Sequence, residues 1–314
     1  MNGMKVYKGT DKDIKCRGYQ FTPGVEAVEE RAELCEAGFH ACEAPLDVLA
    51  YYPPSEGSRY FEAELEDVSD ERHGTDSKVC GKRITIGAEL GIPGLVKAHM
   101  EYVKNIIEKD DNAKKSSGDD ASIGSSGDDA SIGSSGDAAR IGSSGDDASI
   151  GSSGDAARIG SSGDDARIGS SGRYARIGSS GDDARIGSSG RYARIGSSGY
   201  AASIGSSGDD ASIGSSGDDA SIGSSGRYAR IGSSGDDAKV ECKADNAVVS
   251  CVGANAKIKA PGGTWITLAE YGEWDGTGYP CVCVKSAQID GETLKPDTWY
   301  MLKGGEFVEV TDDD

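Results

Sequence analysis

From Asp119 to Gly235 the chain consists of thirteen consecutive nine-residue units, each ending Ala-(Ser/Arg)-Ile-Gly-Ser-Ser-Gly after a variable first pair. The register outlasts the wording. Ala238, Ala247 and Ala256 continue the alanine position, and Val240, Val249 and Ile258 continue the isoleucine position, so the array decays over about three further units. A flexible Gly/Ser linker needs no branched apolar residue at every ninth place. A helix is excluded because two glycines per unit cost ~1 kcal/mol each, and nine residues match no helical stripe.

These features leave a β-solenoid, in which each short strand stacks on its equivalent in the next coil at ~4.8 Å. Strand alternation points unit positions three, five and seven inward, as Ala121, Ile123 and Ser125 in the first unit, and turns positions two and four, such as Asp120 and Ser122, to solvent. The glycines, such as Gly124 and Gly127, are expected at corners of positive φ. In the fraying units position seven becomes Cys242 and Cys251, small apolar residues suited to an inward site.

Parity tests the coil size, because units on one side should share outward chemistry. Among the fourteen first pairs from Asp119-Asp120 to Asp236-Asp237, Asp-Asp fills six of seven even units but two of seven odd ones. Two units per 18-residue coil fits this pattern. A three-unit coil is the alternative, since every third unit from the second is Asp-Asp in four of five cases. With two units per coil, one side carries an acidic ladder: Asp128-Asp129, Asp146-Asp147, Asp164-Asp165, Asp182-Asp183 and Asp218-Asp219. The other carries Arg173-Tyr174, Arg191-Tyr192 and Arg227-Tyr228, each followed by an outward Arg176, Arg194 or Arg230.

The flanks read as ordinary folded sequence. Lys5 to Tyr7, Arg59 to Leu65 and Lys82 to Leu90 read as strands, and Pro45 to Tyr51 as a short helix. Pro93 to Glu108 places Leu95, Val96, His99, Tyr102, Val103, Ile106 and Ile107 at helical spacing. Beyond Pro261, alternation at Trp265 and Cys281, a turn at Asp290-Gly291 and a hairpin around Gly304-Gly305 indicate three or four antiparallel strands before the acidic end Asp312 to Asp314. The domains are therefore 1–112, an N-terminal α/β capping domain; 113–260, the nonapeptide solenoid; and 261–314, a C-terminal β-segment. The fold class is mainly β. Caps protect solenoid edges that would otherwise recruit another chain.

The 314 residues carry a formal charge of −20, and no zone is net basic, which argues against direct duplex nucleic-acid binding. No run reaches the ~18–20 apolar residues of a membrane span, and the first ten residues lack a signal-peptide pattern, so a soluble cytoplasmic protein is expected. The eight cysteines form no CxxC pair and are not spaced with histidines as zinc ligands, so reduced thiols and no metal are expected. The calcium-binding nonapeptide G-G-x-G-x-D-x-U-x fits poorly: its second glycine is always serine here, and its aspartate is lost at Ala138, Ala156, Tyr174 and Tyr192. No phosphate loop, dinucleotide fingerprint or nucleophilic triad is present, so no catalytic residue and no cofactor are assigned.

Two resemblances add to this reading. Tyr7-Lys8-Gly9, Gly38-Phe39-His40-Ala41-Cys42 and the strand Tyr60 to Leu65 loosely resemble the strand order of mono-ADP-ribosyltransferases, which implies a nicotinamide-cofactor site in the N-terminal domain. That family's Ser-Thr-Ser element is missing, and no catalytic glutamate can be placed. Cys16-Arg17-Gly18-Tyr19-Gln20-Phe21, Leu34 to Cys42 with Pro45-Leu46-Asp47, Ser77 to Cys80 and Lys295 to Tyr300 resemble an uncharacterised family of phage and prophage proteins. That resemblance implies a mixed N-terminal domain, Gly/Ala/Ser-rich repeats and a β-rich C-terminal segment.

The expectation is a non-enzymatic accessory protein whose solenoid binds a host protein, with the acidic ladder mimicking nucleic-acid phosphates and the arginine–tyrosine set as contact residues. A structural rod or spacer is the alternative, and an ADP-ribosyltransferase-like N-terminal domain is another.

Overall fold

The computed structural model describes residues 3–72, 76–109 and 114–311; the tail Asp312 to Asp314 and the side chain of Ile107 lie outside the described set. In the N-terminal domain β1 (Met4–Thr10) is followed by the short strands β2 (Lys15–Cys16), β3 (Tyr19–Gln20), β4 (Glu26–Val28) and β5 (Phe39–Cys42). Then come a 3-10 turn Pro45–Asp47, α1 (Val48–Tyr51), a second 3-10 turn Pro54–Glu56, β6 (Arg59–Val68), β7 (Lys78–Glu89) and α2 (Gly91–Lys109). The sheet order β4-β7-β5-β1-β6 closes on itself because β7 also pairs with β6, giving a small barrel. Its interior is filled by Val6, Phe39, Phe61, Leu65, Val79 and Ile84.

Each repeat contributes one four-residue strand that pairs in parallel with the strand two units on. Ile132, Ile150 and Ile168 are in register in one sheet, and Ile141, Ile159 and Ile177 in the other. The coil is thus 18 residues, the two-unit solution, and about nine turns run from residue 114 to 268. At the ordinary strand spacing this makes a rod ~40 Å long. The even units lie in an 11-stranded sheet, completed by Lys114–Ser116 and two C-terminal strands, and the odd units in a 10-stranded sheet completed by two C-terminal strands. Between them lie the alanines and isoleucines as expected, nearly or fully buried from Ile132 onward, for example Ala166, Ile168 and Ile177, and half-buried in the first coil at Ala121, Ile123 and Ala130. Inward Ser152 and Ser170 are buried too, and their hydroxyls have no hydrogen-bond partner among the described residues. Cys242 and Cys251 take that same position in the decaying units.

The corners differ from the expectation. Positive φ falls on unit position two, at Asp129, Asp147, Tyr174 and their equivalents, and not on the repeat glycines. Asp and Asn tolerate this left-handed conformation better than most residues, which explains why Asp dominates the place and why Asn246 and Asn255 take it where the repeat frays. The last glycine of each unit has a different reason. A Cβ on Gly163 would lie 2.1 Å from the carbonyl oxygen of Gly145, so glycine lets one coil settle closely on the next, and alanine takes the place once, at Ala244 in a decaying unit.

The N-terminal domain lies along the flank of the even sheet. Helix α2 crosses the strands from Ser131–Ser134 to Ser203–Ser206, and the Pro54–Glu56 turn continues over Ser221–Ser224. The buried stripe Leu95, Val96, His99 and Val103 is the one read from helical spacing. At the far end, strand Trp265–Tyr271 extends the odd sheet in parallel and then pairs antiparallel with Cys281–Gln288. The hairpin Trp299–Lys303 and Glu306–Val310 closes the even sheet. Asp290 holds the turn before it by accepting the backbone N–H groups of Glu292, Thr293 and Leu294.

Candidate functional site

Parity decides what the outward side chains do. On the even sheet Arg167 and Arg185 are buried beneath the N-terminal domain. Arg167 donates through Nε to the Oδ1 of Asp47 and lies 3.3 Å from Asp147, while Arg185 lies 3.0 Å from Asp165. Burial alone would raise the Asp47 carboxyl, but Arg167, with help from Arg185 and Ser77, holds it below the usual range. Asp47 also accepts the Ser77 N–H and hydroxyl, so the fully buried carboxylate is well supplied with donors.

The odd sheet has no such cover. Arg140, Arg158, Arg176 and Arg194 occupy successive strands in register, so four guanidinium-bearing side chains repeat at the strand spacing. All four are exposed, and no hydrogen bond or ion pair engages them among the described residues. Beside them runs a floor of glycines. A Cβ on Gly142, Gly160, Gly178 or Gly196 would meet nothing within 4 Å, whereas on the even sheet Gly169 faces His99 and Gly187 faces Val96. The result is an open trough of about 850 Å³ running from Ser122 to Gly196.

The structure brings most of the expected contact residues to the corner preceding this sheet. The rings of Tyr174 and Tyr192 stack 5.1 Å apart at 6°. The guanidinium of Arg173 sits 5.3 Å from the Tyr174 ring and that of Arg191 5.2 Å from the Tyr192 ring. Arg176 and Arg194 stand on the adjoining strands. Tyr228 is separated from the stack by the coil carrying Asp210, and Arg227 is engaged by Asp209 at 3.2 Å. Arg230 is exposed, two strands from Arg194 in the same row. Arg140 and Arg158 escaped the sequence reading because their units open with Asp-Ala and do not carry the Arg-Tyr pair.

The acidic residues line the opposite corner, in two roles. A first-position aspartate accepts, through Oδ1, the backbone N–H of the residue 18 positions on. Asp128 thus serves Asp146, Asp146 serves Asp164, Asp164 serves Asp182, Asp182 serves Tyr200 and Asp218 serves Asp236. The second-position residues Asp129, Asp147, Asp165, Asp183 and Asp219 hold the left-handed backbone. Burial, reinforced by the neighbouring Asp165, raises the carboxyls of Asp147 and Asp183, with the nearby arginines opposing. The ladder therefore has a structural occupation that a list of charges does not reveal.

A second concavity lies in the N-terminal barrel, with a volume of about 470 Å³. Tyr7-Lys8-Gly9 and Gly38 to Cys42, far apart in sequence, both line it because β1 pairs with β5 at Tyr7 and Cys42. Gly9 is required there: a Cβ would lie 2.6 Å from the ring of Tyr52.

Architecture and surfaces together define a β-solenoid of 18-residue coils with a small barrel docked on one of its two sheets. Residues 4–98 match DUF7666, a domain of unknown function, and that match covers the barrel and the first turns of α2. No curated protein and no solved structure matches the chain. Among the described residues no helix is long and apolar enough to cross a membrane.

Proposed function

We propose that the protein is a non-enzymatic binding scaffold whose uncovered odd sheet holds an extended acidic segment of a partner protein. One observation carries this reading: the same repeat builds two sheets, and only one is covered. On the even sheet the N-terminal domain covers the arginines, pairs Arg167 with Asp47 and fills the glycine floor, while Arg185 pairs with Asp165 of the repeats. On the odd sheet the ladder Arg140, Arg158, Arg176 and Arg194 stands free above an open trough. Unpaired cations at a regular spacing attract a linear anion, and the stacked Tyr174–Tyr192 pair offers a rigid aromatic ledge beside it. The acidic corner is the weaker surface because its first aspartates are already spent on the backbone ladder.

The resemblance of the Cys16 to Phe21 and Leu34 to Cys42 strings to phage and prophage proteins favours a setting in which the partner belongs to a bacterial host and is met in its cytoplasm. The test compares the intact protein with a variant carrying Arg140→Ser, Arg158→Ser, Arg176→Ser and Arg194→Ser, since serine already fills this place at Ser122 and Ser212. Both would be used to capture proteins from nuclease-treated bacterial lysate at low and high salt. A partner lost with the arginines and at high salt supports the reading. A partner held equally by both forms sinks it, and self-assembly without any partner would favour a structural rod.

A further inference from the structure

We propose that the cavity of the N-terminal barrel is a binding site for a nucleoside phosphate. This goes beyond the solenoid surface and stands independently of it.

The first observation is Lys8. Its side chain reaches into the cavity and the residue is only 4% exposed. The ammonium donates to the carbonyl oxygen of His40 at 2.7 Å and to the sulfur of Cys16 at 3.2 Å. It lies 5.4 Å from the ring centre of Phe21. No carboxylate forms an ion pair with it among the described residues. A buried cation without a counter-charge is costly, and an anion in the cavity supplies what the protein does not. Half-buried Lys78 lines the same space and adds to the cationic side, and at the rim exposed Arg17 stands beside the exposed Glu29 and Glu36.

The second observation is the aromatic wall. Tyr19, Phe21 and Phe39 pack edge to face with centroids 4.8–5.8 Å apart. Tyr51 and Tyr52 form another part of the lining, with the Lys78 ammonium 4.5 Å from the Tyr51 ring centre. Free phosphate has no use for such a wall, and a purely apolar ligand has no use for three cations. A ligand with a flat heteroaromatic part and an anionic part satisfies both, and the volume lies in the ordinary range of ~300–1,000 Å³ for small-molecule sites. His40 adds a neutral polar contact. Its Nε2 accepts the Cys35 N–H at 2.8 Å, and burial with the nearby Lys8 lowers its pKa, so the imidazole remains uncharged at neutral pH.

The test is isothermal titration of the full-length chain with AMP, GMP, CMP and UMP, beside adenosine and inorganic phosphate. At least one nucleotide should bind tenfold or more tightly than both adenosine and phosphate, and Lys8→Met should weaken it at least tenfold. Should Lys8→Met fail to fold, as judged by circular dichroism, the Arg17→Ser and Lys78→Met variants decide, each expected to weaken binding at least threefold. No heat from any nucleotide at millimolar concentration overturns the proposal. So does nucleotide binding no tighter than that of the two fragments, or affinity unchanged in the folded variants.

Discussion

Asp47 and Arg167 stand 120 residues apart in the chain and meet as a buried ion pair at the seam between the barrel domain and the even sheet. Removing one partner strands the other in a dry interface, a situation that costs about 3–5 kcal/mol. Arg167→Ser is therefore expected to destabilise the protein by that order in urea unfolding. The double variant Asp47→Asn with Arg167→Ser should recover much of the loss, since serine fills the equivalent place at Ser149 and Ser203. A single variant within about 1 kcal/mol of the parent would show that the pair does not hold the seam.

Two glycines three residues apart should respond in opposite ways. Gly163→Ala drives a methyl group into the Gly145 carbonyl of the preceding coil, and a loss of about 3 kcal/mol or more is expected. Gly160→Ala adds a methyl to the open odd sheet, and its effect should stay within about 0.5 kcal/mol. Thermal unfolding of the two variants side by side measures the contrast. Equal losses would contradict the stacking described.

The acidic corner can be separated into charge and hydrogen bonding. Asp164 accepts the Asp182 N–H at 2.8 Å, so Asp164→Ala should cost about 1 kcal/mol and accelerate hydrogen exchange at Asp182. Asp164→Asn keeps an acceptor oxygen and should leave exchange nearly unchanged while removing a charge. If Asn and Ala behave alike at that amide, the ladder is electrostatic decoration.

His99 makes the seam sensitive to acid. Burial of its ring between α2 and the even sheet brings its pKa down to about 4, with Asp47 opposing the shift and Arg167 assisting it. Because the folded value lies below the unfolded one of ~6.5, unfolding takes up a proton in between. Stability is complete above pH 6.5 and falls as the pH approaches 4. Asp47, held below its ordinary value, contributes a loss in the same direction at still lower pH. His99→Gln should flatten the pH dependence of the melting temperature between 6.5 and 4, and an unchanged slope would assign the effect elsewhere.

Much of this architecture was legible in the sequence because a repeat writes its geometry many times over. Ile and Ala at fixed places disclosed the inward face, and the parity of Asp-Asp disclosed the two-unit coil. Three things were not legible. The positive φ expected of the repeat glycines falls on Asp129 and its equivalents, while Gly163 is there for lack of space; both needs select small or polar residues, and only the fold tells them apart. Arg167 and Arg176 sit in equivalent places of near-identical units, yet one is buried and the other exposed, because the difference lies in a domain docked from elsewhere in the chain. The barrel cavity was visible only as two disconnected strings, Tyr7 to Gly9 and Gly38 to Cys42, until strand pairing joined them.

The alternation of sheets also governs how such an array can change length. Successive nonapeptides belong to opposite sides of the rod, so loss or gain of a single unit exchanges the sides of every unit that follows. The strand Trp265–Tyr271, which now prolongs the odd sheet, would arrive at the even one, and the terminal hairpin would meet the wrong edge. Copy number in this gene is therefore free to drift only in twos, eighteen codons at a time, and a lineage of such proteins should differ in rod length by whole coils.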